Sequence, residues 1–117
     1  TAQVLKSAPG LQEVGERLDA GIAALERTTD WMLSHKGPDA LSGATAYLKL
    51  AGDVIGGWML GRQALEVAGE ADDWSKGRGA LARVFAAQVL AQAPGLADGV
   101  VAGGADLESL SAEALAG

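Results

Sequence analysis

The sequence predicts an all-α protein, an antiparallel four-helix bundle with a broken fourth helix. Apolar residues recur at spacings of three and four along most of the chain, which is typical of helices with one buried face. Aromatic residues make up only 4% of the chain, whereas strands favour aromatic and β-branched residues. No segment alternates between apolar and polar residues for long enough to form a strand. The connections are short, so successive helices are expected to run antiparallel.

The first helix is expected over about residues 9–36. Its apolar residues form a single stripe: Leu11, Val14, Leu18, Ile22, Leu25 and Met32. The opposite face is charged, and Glu13 and Arg17 have the spacing of an i,i+4 ion pair. Lys36-Gly37-Pro38 is a strong signal for the end of this helix.

The second helix is expected over about residues 39–69, with Asp39 as its N-cap. Its main apolar stripe again has helical spacing: Leu41, Ala44, Leu48, Ala51, Ile55, Met59 and Leu65. An adjacent strip contains Tyr47, Val54 and Trp58. A helix that is apolar on more than one face belongs in the middle of a fold, so this helix is expected to be the central one.

The third and fourth helices are shorter. After a polar turn at residues 70–73, the third helix is expected over about 74–92, with one face formed by Leu81, Val84, Phe85, Gln88 and Val89. Pro94-Gly95 is expected to end or bend it. The fourth helix is expected over about 95–115, with an interruption at Gly103-Gly104.

Four glycines lie among large apolar residues in the segment LAGDVIGGWMLGR, residues 50–62. The apolar run is shorter than the ~20 residues of a membrane span, and the glycines lack the spacing of a phosphate-binding loop. A glycine inside a helix costs about 1 kcal/mol relative to alanine, so a close neighbour is expected to compensate. That neighbour is either the domain's own core or another subunit or domain. The predicted helix-packing or interface residues are Gly52, Gly56, Gly57, Trp58 and Gly61.

No catalytic, cofactor-binding or metal-binding residue is predicted in this chain. His35 is the only histidine, and its place in the last turn of the first helix favours a capping role. Asp72-Asp73 precedes a helix, where capping is also expected. The tryptophans, Trp31, Trp58 and Trp74, are expected at core-facing or boundary positions. A basic strip on the third helix suits a solvated face or inter-domain ion pairs better than a phosphate site: Lys76, Arg78 and Arg83.

The composition restricts the class of partner. The 117 residues suit one helical domain, residues 1–117, and the net charge of −6 argues against nucleic-acid and anionic-membrane partners. The chain has no cysteine, which is compatible with a reducing cytoplasm. No secretory signal is recognisable near Thr1, and a processed or excised chain is an open interpretation.

Three segments of the chain resemble the acetyl-CoA dehydrogenase C-terminal-like domain, the extra helical module of long bacterial acyl-CoA dehydrogenases, including those similar to 3-methylmercaptopropionyl-CoA dehydrogenase. The most specific segment is the one ending in Gly57-Trp58-Met59-Leu60. The others are the segment Arg78 to Ala86 and the tail from Leu96 to Leu110. The resemblance covers nearly the whole chain.

The resemblance implies a parent enzyme that binds FAD and converts an acyl-CoA into a trans-2-enoyl-CoA. Its catalytic glutamate, flavin site and acyl pocket belong to preceding domains, so this chain is expected to be a non-catalytic C-terminal fragment without cofactor. The expected partners are the catalytic domains of the same polypeptide and, in a homo-oligomer, a neighbouring subunit. Two alternatives stay open: a free-standing helical dimerisation domain and a bundle that binds a small apolar ligand or CoA.

Overall fold

The computed structural model describes residues 1–35 and 38–109 of the chain. Within these residues all regular secondary structure is helical, which confirms the all-α bundle. In chain order the elements are α1 (Ala2–Ser7), α2 (Gln12–Ser34), α3 (Pro38–Glu66), α4 (Asp73–Gln88), a single 3-10 turn (Leu90–Gln92) and α5 (Ala93–Ser109).

The helices form three long rods. Helices α2 and α3 run antiparallel, since Gly21 lies beside Val54 and the hydroxyl of Thr29 lies 2.8 Å from that of Tyr47. Helices α4 and α5 follow each other, separated by the 3-10 turn, and share no contact. Together they form the third rod, which packs along both α2 and α3.

The third rod is antiparallel to α3. Gly56 of α3 lies against Phe85 of α4, and Gly43 lies against Val100 of α5. The same rod is parallel to α2, because Gly10 accepts a hydrogen bond from Arg83 just before α2 begins. Further along α2, Arg27 forms a 2.8 Å salt bridge with Asp98.

The core lies between the three rods and is built from few large side chains. Leu5, Leu18, Leu50 and Leu90 are the largest apolar side chains that are fully buried. Many of the other core residues are small, which allows the helix backbones to approach closely: Ala24, Ala64, Ala82, Ala86, Ala93 and Ala97. The result is a thin, elongated molecule, 63 × 24 × 16 Å, with a radius of gyration of 17.7 Å. A compact domain of this length has a radius of gyration of about 13 Å.

The apolar stripes predicted on α3 and α4 are not the faces that the structure buries. On α3, Leu48, Ile55 and Met59 of the predicted stripe are between 53% and 70% exposed, while Leu65 is partly buried against the core. The buried face of α3 instead contains Leu50, Val54, Gly57, Gly61 and Ala64. Because α3 is apolar on more than one face, the close packing of neighbouring helices decides which of these faces is buried.

On α4 the predicted face is rotated away from the core. Leu81 and Val84 are 40% and 50% exposed, whereas Ala82 and Ala86 are buried. Trp74, expected at a core or boundary position, is 62% exposed. The small alanines face the core because α4 lies close to both α2 and α3.

The helix boundaries also differ from the prediction near both ends of the chain and at α4, which ends at Gln88 instead of at about residue 92. Residues 2–7 form the separate helix α1, which was not predicted. At the other end, α5 continues through Gly103-Gly104 to Ser109, so the expected interruption there is absent. The expected end of the fourth helix, residues 110–115, lies outside the described residues, as does the stop signal at Lys36-Gly37.

Candidate interaction surface

The glycines of α3 differ in what they face. Gly57 is buried against Leu90, and a Cβ atom built on Gly57 would lie 2.6 Å from Leu90 Cδ1. On its other side, Leu90 meets Gly21 of α2, where a built Cβ would lie 3.6 Å from Leu90 Cδ2. Leu90 thus occupies a space that two glycines on different helices leave open.

Two further glycines of α3 face neighbouring side chains. A Cβ built on Gly61 would lie 2.9 Å from Leu5 Cδ1 of α1, and one on Gly56 would lie 3.2 Å from Phe85 Cζ of α4. Gly52 differs, since nothing lies within 4 Å of its built Cβ. No described residue therefore packs against Gly52. Contact of the α3 glycines with another molecule stays a prediction.

Sequence reasoning missed three packing residues. A Cβ built on Gly15 of α2 would lie 2.7 Å from the backbone nitrogen of Lys6 and 2.8 Å from the carbonyl oxygen of Ala2. Gly15 therefore lets the α1 backbone lie directly on α2. Gly21 and Leu90 form the contact already described. Gly15 and Gly21 could have been found in the sequence, because each is a glycine inside a predicted helix, as the glycines of α3 are.

Trp58 lies at the edge of the bundle, 43% exposed. Its indole Nε1 donates a 3.2 Å hydrogen bond to Thr1 Oγ1, and the guanidinium carbon of Arg62 lies 5.5 Å from the ring centroid. Trp58 thus joins the beginning of the chain to the C-terminal half of α3. A cation over an exposed aromatic ring contributes about 0.5–1 kcal/mol.

Large apolar side chains are exposed on two adjacent helices, α3 and α4. On α3 these are Leu48, Ile55 and Met59, and on α4 they are Leu81 and Val84. The contact between Phe85 and Gly56 joins the two helices, with Leu81 one turn before Phe85 and Val84 next to it. We refer to these five exposed residues as the apolar surface: Leu48, Ile55, Met59, Leu81 and Val84.

The basic residues of α4 do not converge on one point. The guanidinium carbon of Arg78 lies 5.3 Å from the Trp74 ring centroid, and Arg78 Nε is buried without a hydrogen-bond partner. Arg83 donates to the carbonyl of Gly10 across a long 3.5 Å distance. Lys76 is exposed. This arrangement leaves the predicted basic strip divided between two sides of α4.

The acidic pair before α4 has a capping role at its first residue. Ser75 donates to Asp72 through its hydroxyl, at 2.6 Å, and through its backbone N–H, at 3.1 Å. Both hydrogen bonds favour the charged carboxylate and hold the pKa of Asp72 below its ordinary value of 3.8. Asp73 is the first residue of α4, where a negative charge is favourable.

His35 closes the end of α2. Its Nδ1 lies 2.8 Å from the carbonyl oxygen of Trp31, and the His35 ring stacks on the Trp31 ring with centroids 4.4 Å apart. The His35 backbone N–H donates to the same carbonyl. The imidazole therefore satisfies a helix-end acceptor.

The described residues hold no cluster of three or more metal-ligating side chains. One cavity of about 190 Å³ lies where α3 ends and α4 begins, and its wall includes Leu11, Ala64, Ser75, Lys76 and Arg83. Sites for drug-sized ligands have volumes of about 300–1,000 Å³. A larger hollow of about 670 Å³, beside Glu13 and Arg17, is an open depression of the surface.

The run Asp73–Ala102 is long and apolar enough to cross a membrane by length and composition. A single run of this kind is weak evidence, and 28% of its apolar window is buried within the bundle. Its two parts, α4 and the first half of α5, both pack on α2 and α3.

The fold defines a helical module whose apolar surface is left exposed by the described residues. The sequence model of the family described as "Acetyl-CoA dehydrogenase C-terminal like" matches residues 1–111 of the chain. The chain belongs to this family, which confirms the resemblance to the acetyl-CoA dehydrogenase C-terminal-like domain. No curated protein and no solved structure matches the chain.

Proposed function

We propose that this chain is a non-catalytic helical module of a FAD-dependent acyl-CoA dehydrogenase. It attaches through its apolar surface to the catalytic domains of the same polypeptide or to a neighbouring subunit, and so stabilises the assembly. The observation that carries the proposal is the position of Leu48, Ile55 and Met59, which are large, apolar and exposed on the longest helix of the bundle.

The shape of the molecule supports this role. Its accessible surface is 6897 Å², about 1,000 Å² more than is usual for a globular monomer of this mass. The smallest dimension is 16 Å, so the bundle is too thin to enclose a large core. A thin bundle with large apolar side chains exposed on two adjacent helices gains stability when a partner covers them.

The charge and the family favour a protein partner. The net charge of −6 opposes binding to nucleic acid and to anionic membranes, and the lack of cysteine suits the cytoplasm. In the parent enzyme, FAD and the base that removes the α-proton are assigned to the preceding domains. The parent is expected to be similar to 3-methylmercaptopropionyl-CoA dehydrogenase and to form a homo-oligomer.

Two measurements test the proposal. The purified chain is expected to show no flavin absorbance and no dehydrogenation of acyl-CoA in the presence of an electron-accepting dye. Bound FAD together with turnover overturns the proposal. Titration of the chain with a CoA ester in a calorimeter is expected to release no heat, and a saturable signal would favour the ligand-binding alternative instead.

The reading frame upstream of Thr1 provides the complementary test. It is expected to encode several hundred residues with a flavoprotein pattern. In that longer protein, deletion of residues 1–117 is expected to lower the thermal midpoint and the oligomeric state while the flavin spectrum is retained. An unchanged assembly after the deletion contradicts the stabilising role.

A further inference from the structure

The outward stripe of α3 has the residue spacing of a coiled-coil seam. Leu48, Gly52, Ile55 and Met59 follow each other at intervals of four, three and four residues, and all four are exposed. We propose that two copies of this chain pair through these residues, called here the α3 seam, with their α3 helices antiparallel about a twofold axis. The inference rests on the proposed function and specifies the partner of the apolar surface.

The order of residues in the α3 seam favours the antiparallel arrangement. In that arrangement Leu48 faces Met59 of the second copy, and Gly52 faces Ile55 of the second copy. One kind of pair then brings two long side chains together, and the other places the branched side chain of isoleucine against a glycine. Parallel pairing would instead place Gly52 opposite Gly52 and leave a gap in the middle of the contact. The open space above Gly52 is the hole that Ile55 of the second copy fills.

The available area is close to what a small dimer interface needs. With about 200 Å² for a fully exposed large apolar residue, Leu48, Ile55 and Met59 together expose roughly 350 Å². Leu81 and Val84 extend this to roughly 530 Å², against about 800 Å² per partner in a standard interface. We therefore expect a reversible dimer whose population depends on concentration.

Charge does not oppose the pairing at the contact itself. The α3 seam contains no ionisable side chain. Lys49 and Asp53 form a 3.0 Å salt bridge with each other on the flank of α3. Arg62, one turn after Met59 on the same stripe, is exposed, and its guanidinium carbon lies 5.5 Å from the Trp58 ring centroid. The four residues of the α3 seam therefore place no charge of their own in the contact, where an unpaired ion would cost several kcal/mol.

Cysteine cross-linking tests the register, because the chain contains no cysteine of its own. Leu48→Cys and Met59→Cys chains are prepared with tags of different mass, mixed, and oxidised gently. The mixed disulfide is expected to form at least fivefold faster than either homodisulfide. Gln12→Cys and Ala87→Cys, exposed positions away from the α3 seam, give the collisional rate as a matched control pair. Equal rates for the two pairs, or a dominant Leu48→Cys homodisulfide, overturn the proposal.

Sedimentation of the 117-residue chain over a concentration series tests the dimer itself. Ile55→Glu is expected to weaken association at least tenfold, with an unchanged circular dichroism spectrum. Val4→Glu is the matched control, since Val4 is 59% exposed against 55% for Ile55, and it is expected to leave association unchanged. If Ile55→Glu does not fold, the cross-linking rates decide the question.

The two proposals fail in different ways. If the chain binds no flavin and stays monomeric at every concentration, the proposed antiparallel pairing is overturned and the proposed function as a non-catalytic module stands. A chain that holds FAD and turns over acyl-CoA overturns the module, whereas the cross-linking rates still report on the pairing.

Discussion

The contact between Gly57 and Leu90 permits a quantitative prediction. Gly57→Ala adds one methyl group to α3, and the built Cβ lies 2.6 Å, 2.8 Å and 3.0 Å from Cδ1, Cδ2 and Cγ of Leu90. Leu90 is 1% exposed, so its side chain can shift only within the packed core. The substitution therefore overpacks the centre of the bundle.

The expected effect combines two opposing terms. Alanine in place of glycine favours the helix by about 1 kcal/mol. Overpacking of a well-filled core costs about 1–3 kcal/mol, and the short contacts to three Leu90 atoms, among them the branch carbon Cγ, place this site in the upper part of that range. We expect Gly57→Ala to lower the free energy of unfolding by about 1–2 kcal/mol and the thermal midpoint by about 4–8 °C.

Thermal and denaturant unfolding at one fixed protein concentration measure the effect. Gly99→Ala is the matched control, because Gly99 lies inside α5 with nothing within 4 Å of its built Cβ. It is expected to raise the free energy of unfolding by about 0.5–1 kcal/mol.

A double-mutant cycle with Leu90→Ala isolates the contact. Leu90→Ala alone is expected to cost about 2–5 kcal/mol. In the Gly57→Ala background the added methyl group fills part of the space that Leu90→Ala vacates. The free energy of unfolding of the double variant is therefore expected to fall by at least ~1 kcal/mol less than the sum of the two single-variant losses. Stabilisation by Gly57→Ala equal to that of Gly99→Ala, or strict additivity in the cycle, refutes the reasoning.

Three further predictions concern the ends and the surface of the bundle. Gly15→Ala is expected to detach α1, because its Cβ would meet backbone atoms that no rotamer change can move, and faster hydrogen exchange of the α1 amides measures this. Asp72→Asn is expected to reduce the loss of thermal stability between pH 7 and pH 3. The folded pKa of Asp72 is lowered, so its contribution is present above pH 3.8 and is lost as the pH falls through the folded value; an undiminished pH dependence contradicts this. Arg27→Gln breaks an exposed salt bridge with Asp98 and is expected to cost less than ~1 kcal/mol in chemical denaturation.

The sequence was sufficient to predict the class of fold and the course of α2. The predicted stripe of α2 includes Leu11, Val14 and Leu18, which are all buried, because charged residues on the other side leave only one apolar face. Helix α1 was missed because six residues are too short to show a helical period, and because Leu5 gains its burial only by docking on α2 and α3.

The buried face of α3 was not predictable from apolar spacing. Both the stripe through Leu48 and Ile55 and the stripe through Leu50 and Val54 have helical periodicity, and the first has the larger side chains. The structure buries the second, because Gly57 and its neighbours allow other helices to come closer there. Small residues therefore located the core of α3 better than large ones did. Gly52 shows the limit of that rule, since it lies on the outer face.

Leu90 lies between two chain segments that are far apart in the sequence, with Gly21 on one side and Gly57 on the other. Alanine at position 57 would place a Cβ 2.6 Å from Leu90 Cδ1 and so requires a smaller residue at position 90, whereas a Cβ at position 21 would lie at an ordinary 3.6 Å from Leu90 Cδ2. Sequence change at positions 57 and 90 is thus coupled. Related chains that carry alanine at position 57 are expected to carry valine or alanine at position 90, so that these two positions covary across the family.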